Sequence, residues 1–154
     1  MGQELRRTDR AITEAEAREL LKRGEYGVLS TCGPDGQPYG VPLSYCVLDN
    51  ALYVHCAPEG HKLANMTTNN LVSFCVVGTT ELLPERFSTR YESVIVSGRA
   101  EEVFAGEKQR ALEGLVAKYS PAFRDEGTRY IAAMSDRTRT FRITIDSISG
   151  KARR

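Results

Sequence analysis

The run Tyr26-Gly27-Val28-Leu29-Ser30-Thr31-Cys32-Gly33-Pro34-Asp35-Gly36-Gln37-Pro38-Tyr39-Gly40-Val41-Pro42-Leu43 decides the fold. Two stretches rich in β-branched, aromatic and aliphatic residues flank Gly33-Pro34-Asp35-Gly36, whose residue types favour the backbone angles of a tight turn. The second stretch continues to Leu48, and a further turn, Asp49-Asn50, leads into a third, Ala51–Ala57. Strands joined through tight turns, with no helix between them, pair antiparallel. The domain therefore contains an antiparallel meander.

Upstream, Thr13 and Glu16 have the spacing of a capping box, and Lys22-Arg23-Gly24 gives a basic last turn and a glycine stop, so a short helix precedes the meander. Downstream, His61–Asn69 reads as a short helix, and Leu71–Gly78 and Tyr91–Phe104 read as strands separated by a loop, Thr79–Arg90. Glu107–Tyr119 is a longer helix with Ala111, Leu112, Leu115 and Val116 on one face, ended by Pro121; Asp125–Met134 is a further helical stretch. In the last strand, Arg139–Ile148, Phe141, Ile143 and Ile145 alternate with Arg142, Thr144 and Asp146, so one face is wet. Leu71–Val77 is apolar on both faces, which fits the centre of a barrel or a subunit contact. The expectation is a mainly β fold: six antiparallel strands closing into a small barrel, with peripheral helices.

The chain has 154 residues, the size of one domain, and its 41% hydrophobic and 27% charged residues exclude fibrous and disordered classes. A net charge of +1 gives no broad positive field, which argues against a nucleic-acid partner. No apolar run is long enough to cross a bilayer, and Glu4-Leu5-Arg6-Arg7 is not followed by the apolar core of a signal peptide. The expectation is a cytoplasmic protein with no membrane partner. Cys32, Cys46, Cys56 and Cys75 lack the close pairing of zinc or redox motifs and read as reduced, buried thiols. Glycine-rich phosphate cradles are absent, which rules against a Rossmann fold.

One segment breaks a rule that the other helices obey. Glu14 and Glu16, Glu107, and Asp125-Glu126 place acids at the starts of the other helices, whereas His61-Lys62 places cations at the positive end of the helix dipole. That costs about 0.3–1 kcal/mol unless an anion offsets it. A phosphate on the free backbone N–H groups, with Lys62 as a point charge, accounts for the exception; a solvated lysine is the alternative. In the strand before this helix, His55 shares a face with Tyr53, opposite Leu52, Val54 and Cys56. Neither histidine has a Ser or Cys nucleophile at motif spacing, and two histidines without HxxxH make a poor metal site. Pro42 inside a good strand marks an edge, a bulge or a break in pairing. The freed backbone groups suit a flat heterocycle, and a ligand-free edge strand explains the proline as well.

These residues fall into an order that resembles a known family. Arg6-Arg7-x-Asp9-Arg10-x-Ile12, the hairpin Gly27–Thr31 through Asp35–Leu43, the Gly60-His61-Lys62 turn, Tyr91-x-Ser93-Val94-x-Val96-x-Gly98-Arg99-Ala100 and Ile145-x-x-Ile148-x-Gly150-Lys151 are similar to the pyridoxamine 5′-phosphate oxidase-like FMN-binding proteins, nearest the nitroimidazole-resistance branch. The resemblance implies a flavin-reductase-like split β-barrel homodimer with one FMN in each of two intersubunit clefts. By the same resemblance, His61 and Lys62 would hold the FMN phosphate. The backbone at Val41, Pro42, Leu43 and Ser44 would face the isoalloxazine, and His55, Cys56 and Ala57 would line the cleft. The arginine- and histidine-containing C-terminal segment that recognises the pyridoxal phosphate in true oxidases has no counterpart here.

The sequence reading is thus an FMN-dependent oxidoreductase acting on a small molecule, with a nitroaromatic substrate suggested by the branch. The flavin carries the chemistry. His55 and His61 are the side-chain candidates for catalysis, and the Thr79–Arg90 loop is expected to contribute to the substrate pocket. The alternatives are a flavin- or haem-binding module without turnover, and a ligand-free scaffold dimer.

Overall fold

Thr13 Oγ1 accepts from the Glu16 amide at 3.1 Å, and the Glu16 carboxylate accepts from the Thr13 amide at 2.9 Å, so the capping box opens the first helix, α1 (Glu14–Arg23). The structure is a computed structural model and describes residues 3–154. The chain continues through β1 (Gly27–Cys32), β2 (Pro38–Leu43), β3 (Cys46–Leu48), β4 (Ala51–Cys56), α2 (His61–Thr68), β5 (Leu71–Leu83), β6 (Ser88–Val103), α3 (Ala105–Tyr119), α4 (Arg124–Met134) and β7 (Arg139–Arg153). The seven strands form one sheet in the order β2-β1-β5-β6-β7-β4-β3, antiparallel throughout.

Seven strands replace the expected six because the run Gln37–Leu48 divides. Pro38–Leu43 pairs with β1 at one edge of the sheet, and Cys46–Leu48 pairs with β4 at the other. Only Ser44 and Tyr45 join the two edges. Three Cα steps of 3.8 Å reach about 11 Å, so the sheet must curl until its edges approach. It remains open, with no ladder between β2 and β3, and the closed barrel of the sequence reading is corrected accordingly. Pro42, which cannot donate to a ladder, sits on the edge strand β2 opposite Val28. Tyr45 turns inward at the crossing, is fully buried, donates its hydroxyl to the Leu21 carbonyl and meets the Phe74 ring edge-on at 4.9 Å.

The expected loop Thr79–Arg90 is mostly strand. After a register shift between Val77 and Thr80, β5 and β6 remain paired from Thr80↔Tyr91 to Leu83↔Ser88, and the turn is made by Pro84–Arg86 with Phe87 at φ 50°. The polar residues that suggested a loop are cross-strand partners: Glu81 stands opposite Arg90 and pairs with it at 3.2 Å. β7 likewise runs past Ile148 to Arg153, with a register shift where Gly98 meets Ile145. A Cβ at Gly98 would stand 2.0 Å from the Thr144 carbonyl oxygen, so the strands approach there only because position 98 has none.

The sheet buries both of its faces unequally. Val72, Phe74 and Val76 of β5 point inward with Leu29, Val94, Val96, Leu52 and Ile143, and α1 covers them with Ala17, Leu20 and Leu21. Each large aliphatic or aromatic side chain removed from water here contributes about 1.5–3 kcal/mol. On the opposite face, Cys46, Ala51, Tyr53 and Val103 pack beneath Ala111, Leu112 and Leu115 of α3 and Ile131 of α4. Among the described residues, no helix covers the rest of that outer face. There the register aligns Val28, Cys75 and Ile95, with Leu71 and Val77 nearby at 62% and 57% exposure. β5 is therefore apolar on both faces but buried on only one. The polar face of β7 is partly covered, since Arg142 reaches Glu107 of α3 at 2.7 Å. All four cysteines are free, Cys46 and Cys56 buried and Cys32 and Cys75 half-buried. Among the described residues, no helix is long and apolar enough to cross a membrane.

Candidate functional site

The site begins where β4 gives way to α2. Gly60 precedes the helix at φ 144°, with no side-chain cap, and the first turn carries no acid. The first intrahelical bond is donated by Ala64 to the Gly60 carbonyl, which leaves the N–H groups of His61, Lys62 and Leu63 without helical partners. Lys62 forms no ion pair among the described residues. A side chain at position 60 would be strained at that φ, and the space around it is open. Uncapped N–H groups, an unpaired ammonium and an open approach are the donor set that a phosphate group requires.

The helix is fixed to the sheet on two sides. Asn65, buried, donates to the buried Thr31 hydroxyl at 3.0 Å. The His61 imidazole stacks on the Tyr39 ring of β2 with centroids 4.1 Å apart and planes inclined by 26°. Lys62 is close enough to β4 to act on both His55 and Cys56. Desolvation, then the Lys62 ammonium, hold the His55 imidazole below its ordinary 6.5; burial pushes the Cys56 thiol up, against a smaller opposing effect of Lys62. Both groups are biased toward their neutral forms.

His55 shares the face of Tyr53, as the alternation requires. The Tyr53 hydroxyl donates to Glu107 of α3 at 2.7 Å, so this face looks toward α3 and α4. A cavity of about 580 Å³ opens between β4 and these helices, and Ser44, His55, Cys56 and Ala57 all line it. Its floor and walls come from α3, α4 and the turn Ser135–Arg137, not from Thr79–Arg90, whose residues are held in the β5–β6 hairpin. Opposite His55 in the β4–β7 register stands Thr140, fully buried, with a hydroxyl that has no hydrogen-bond partner among the described residues.

The expected residues therefore fall into three neighbouring groups. Ser44, His55, Cys56 and Ala57 share the cavity; His61 and Lys62 open α2; Val41, Pro42 and Leu43 run along the free edge of β2. Val41 and Leu43 pack against the core, while Pro42 is exposed. As an edge strand, β2 keeps outward backbone groups unpaired.

Residues outside the expected set hold this arrangement in place. Tyr45 N–H donates to Tyr119 Oη at 3.0 Å, Tyr119 Oη donates to the Glu25 carbonyl at 2.6 Å, and Lys118 Nζ donates to the Tyr45 carbonyl at 2.9 Å while lying 3.6 Å over the Tyr45 ring. Burial lowers the Lys118 pKa. These contacts pin the Ser44-Tyr45 crossing to the end of α3. Tyr39 was legible in principle, because alternation puts it on the face of Val41 and Leu43. Lys118 and Tyr119 carried no local signal, since their partners lie more than seventy residues away.

The fold is a curled, open antiparallel sheet whose two edge strands approach each other, with an uncapped, cation-bearing helix start after β4. Residues 13–152 match the family model described as pyridoxamine 5′-phosphate oxidase, and the chain belongs to that family. It is similar to the uncharacterized protein RA0666 of Rhizobium meliloti (strain 1021), 32% identical over 94 residues, a match spanning 61% of this chain and 57% of that protein. A solved FAD-binding protein from Mesorhizobium loti is 29% identical with a TM-score of 0.68, covering 94% of this chain and 98% of the other. A Bacteroides thetaiotaomicron protein ascribed to 5-nitroimidazole antibiotic resistance shares the fold at 22% identity and a TM-score of 0.74, covering 92% of this chain and 85% of the other.

Proposed function

We propose that this protein is an FMN-binding flavoprotein oxidoreductase that works as a split-barrel homodimer, with a nitroaromatic or related small molecule as acceptor. The observation that carries the reading is the start of α2, where unpaired N–H groups and the unpaired Lys62 ammonium converge beside the end of β4. The phosphate of FMN fits this donor set. When bound, the flavin supplies hydride or electron transfer.

The chain's own residues bind, orient and manage protons. Lys62 and the α2 amides hold the phosphate, with the Tyr39–His61 stack fixing the turn. The free edge of β2 at Val41–Leu43, with Ser44 just beyond it, presents backbone carbonyls and the N–H groups other than that of Pro42 to a flat ring, and Tyr119 and Lys118 keep that edge from drifting. His55, neutral near pH 7, is able to accept a proton at an imidazole nitrogen, while Cys56 stays a thiol and serves as an apolar wall. The row of exposed Val28 and Ile95 flanking half-buried Cys75, with exposed Leu71 and Val77, is the face a second copy would cover.

The test is anaerobic. Protein loaded with FMN is mixed with NAD(P)H and the flavin absorbance followed, and a nitroaromatic compound is then added. Bleaching followed by stoichiometric return of the yellow colour supports the reading. A flavin that binds but is neither reduced by the nicotinamide nor reoxidised by the nitro compound makes the protein a carrier; retention of haem in place of flavin removes FMN from the account.

A further inference from the structure

The cavity beside His55 has a composition that selects a ligand. Among its lining residues Arg137 is the one side chain with a permanent charge, and no Asp or Glu is present. Arg137 makes no ion pair among the described residues. The remaining lining combines the neutral polar side chains of Ser44, His55, Ser120, Ser135 and Thr138 with an apolar part in which Leu115 and Ile131 are buried, Met134 is half-buried and Tyr130 is exposed. Arg137 is exposed, so an anion gains a charge-assisted pair with it that a neutral molecule does not, and a cation would be repelled.

We infer that this cavity binds an aromatic carboxylic acid, its ring against Leu115, Ile131 and Met134 and its carboxylate on the Arg137 guanidinium. The volume of about 580 Å³ lies in the usual range for small-molecule sites and accommodates a fused two-ring body. Met134 and Tyr130 offer the sulfur and ring contacts that aromatic ligands favour. The guanidinium matches a carboxylate through two parallel N–H donors.

Arg137 is also well placed. β7 begins at Arg139 opposite Cys56, so Thr138 and Arg137 continue past that pair on the side of Ala57, at the same end of β4 as His55. The turn that carries it is tied down, since Lys108 Nζ donates to the Ser135 carbonyl at 2.8 Å and Thr138 Oγ1 donates to the Met134 carbonyl at 3.0 Å. An acid bound there lies next to Ser44, His55 and Ala57, the residues assigned above to the flavin cleft. This deepens the proposed function by naming the class of its small-molecule partner, and it rests on that reading only for what the bound acid does.

The test titrates the full-length protein, with and without FMN, by calorimetry using 2-naphthoate and its neutral isostere 2-naphthamide. Naphthoate should bind at least tenfold more tightly than naphthamide. Arg137→Gln should bring the two within about threefold while leaving naphthamide affinity unchanged, which also shows that the variant is folded. In the unaltered protein, naphthoate should shift the His55 imidazole signals by NMR. Equal affinity for the two probes, a preference that survives Arg137→Gln, or unmoved His55 signals overturn the proposal. So does competitive displacement of FMN by naphthoate, because the cavity is then the flavin's own. If naphthoate behaves as expected but FMN fails to bind, the flavin reading falls and the acid site stands; if FMN binds and naphthoate does not, the reverse holds.

Discussion

The Tyr39 ring of β2 lies stacked on the His61 imidazole at the first residue of α2, centroids 4.1 Å apart. This contact couples the edge strand proposed to face the isoalloxazine to the helix start proposed to hold the phosphate. Tyr39→Ala and His61→Ala should each weaken FMN binding, and the double variant should lose less than the sum. A coupling of about 0.5–1.5 kcal/mol is expected from the stack, read from flavin dissociation constants in a double-mutant cycle. Strict additivity would mean that the two rings do not act together.

Lys62 should contribute most of the side-chain energy for the phosphate. Lys62→Ala is expected to weaken FMN binding by about 1.5–3 kcal/mol, the range of a charge-assisted hydrogen bond. Riboflavin, which lacks the phosphate, should be nearly indifferent to the substitution. A parallel loss for both flavins would place Lys62 in folding, not in phosphate recognition.

The same lysine contributes to a titration. The folded pKa of His55 lies below its ordinary 6.5, chiefly through desolvation and secondarily through Lys62. Its NMR midpoint should rise in Lys62→Met, which removes the cation, and rise also on addition of FMN, whose phosphate offsets it. Because the folded pKa is the lower one, the unfolded chain binds the proton more readily between the two values. His55 is solvent-exposed, so solvent screening keeps the stability contributed by its neutral form small; that contribution is fully present above about pH 6.5 and is lost as the pH falls toward the folded pKa. His55→Gln should flatten that part of the stability profile and, with flavin saturated, leave reduction of an artificial acceptor measurable. Abolished turnover with FMN still bound and reducible would make His55 a direct catalyst.

The outer face of β1, β5 and β6 should be a subunit contact. Ile95, 48% exposed, sits in register with Cys75 and Val28 at its centre. Sedimentation should give twice the 17.1 kDa chain mass, and Ile95→Lys should shift the protein toward monomer with loss of FMN. A wild-type monomer that binds FMN at full affinity would contradict an intersubunit cleft.

Much of this architecture was legible in the sequence because the relevant signals are local. Thr13 with Glu16, Gly33 to Gly36, and the alternation around Phe141 to Ile145 each depend on neighbours within a few residues. The cationic start of α2 was visible for the same reason, as a departure from the dipole rule. What escaped notice depended on distant partners. Whether Gln37–Leu48 is one strand or two is decided by Tyr45 reaching Leu21 and Tyr119, and the polar residues from Thr79 to Arg90 become strand only when Glu81 faces Arg90. The walls of the His55 cavity come from Leu115, Ile131 and Arg137, whose periodicity marks a buried helix face and a turn but cannot say which strand they meet.

The role proposed for the start of α2 is to hold the terminal phosphate of FMN. Equilibrium titration of the flavin-free protein with FMN, riboflavin and FAD, followed by the quenching of flavin fluorescence, tests it most directly. FMN should bind at least tenfold more tightly than either riboflavin or FAD, and the margin over riboflavin should collapse in Lys62→Ala. Equal affinity for FMN and riboflavin, or tighter binding of FAD, would contradict it.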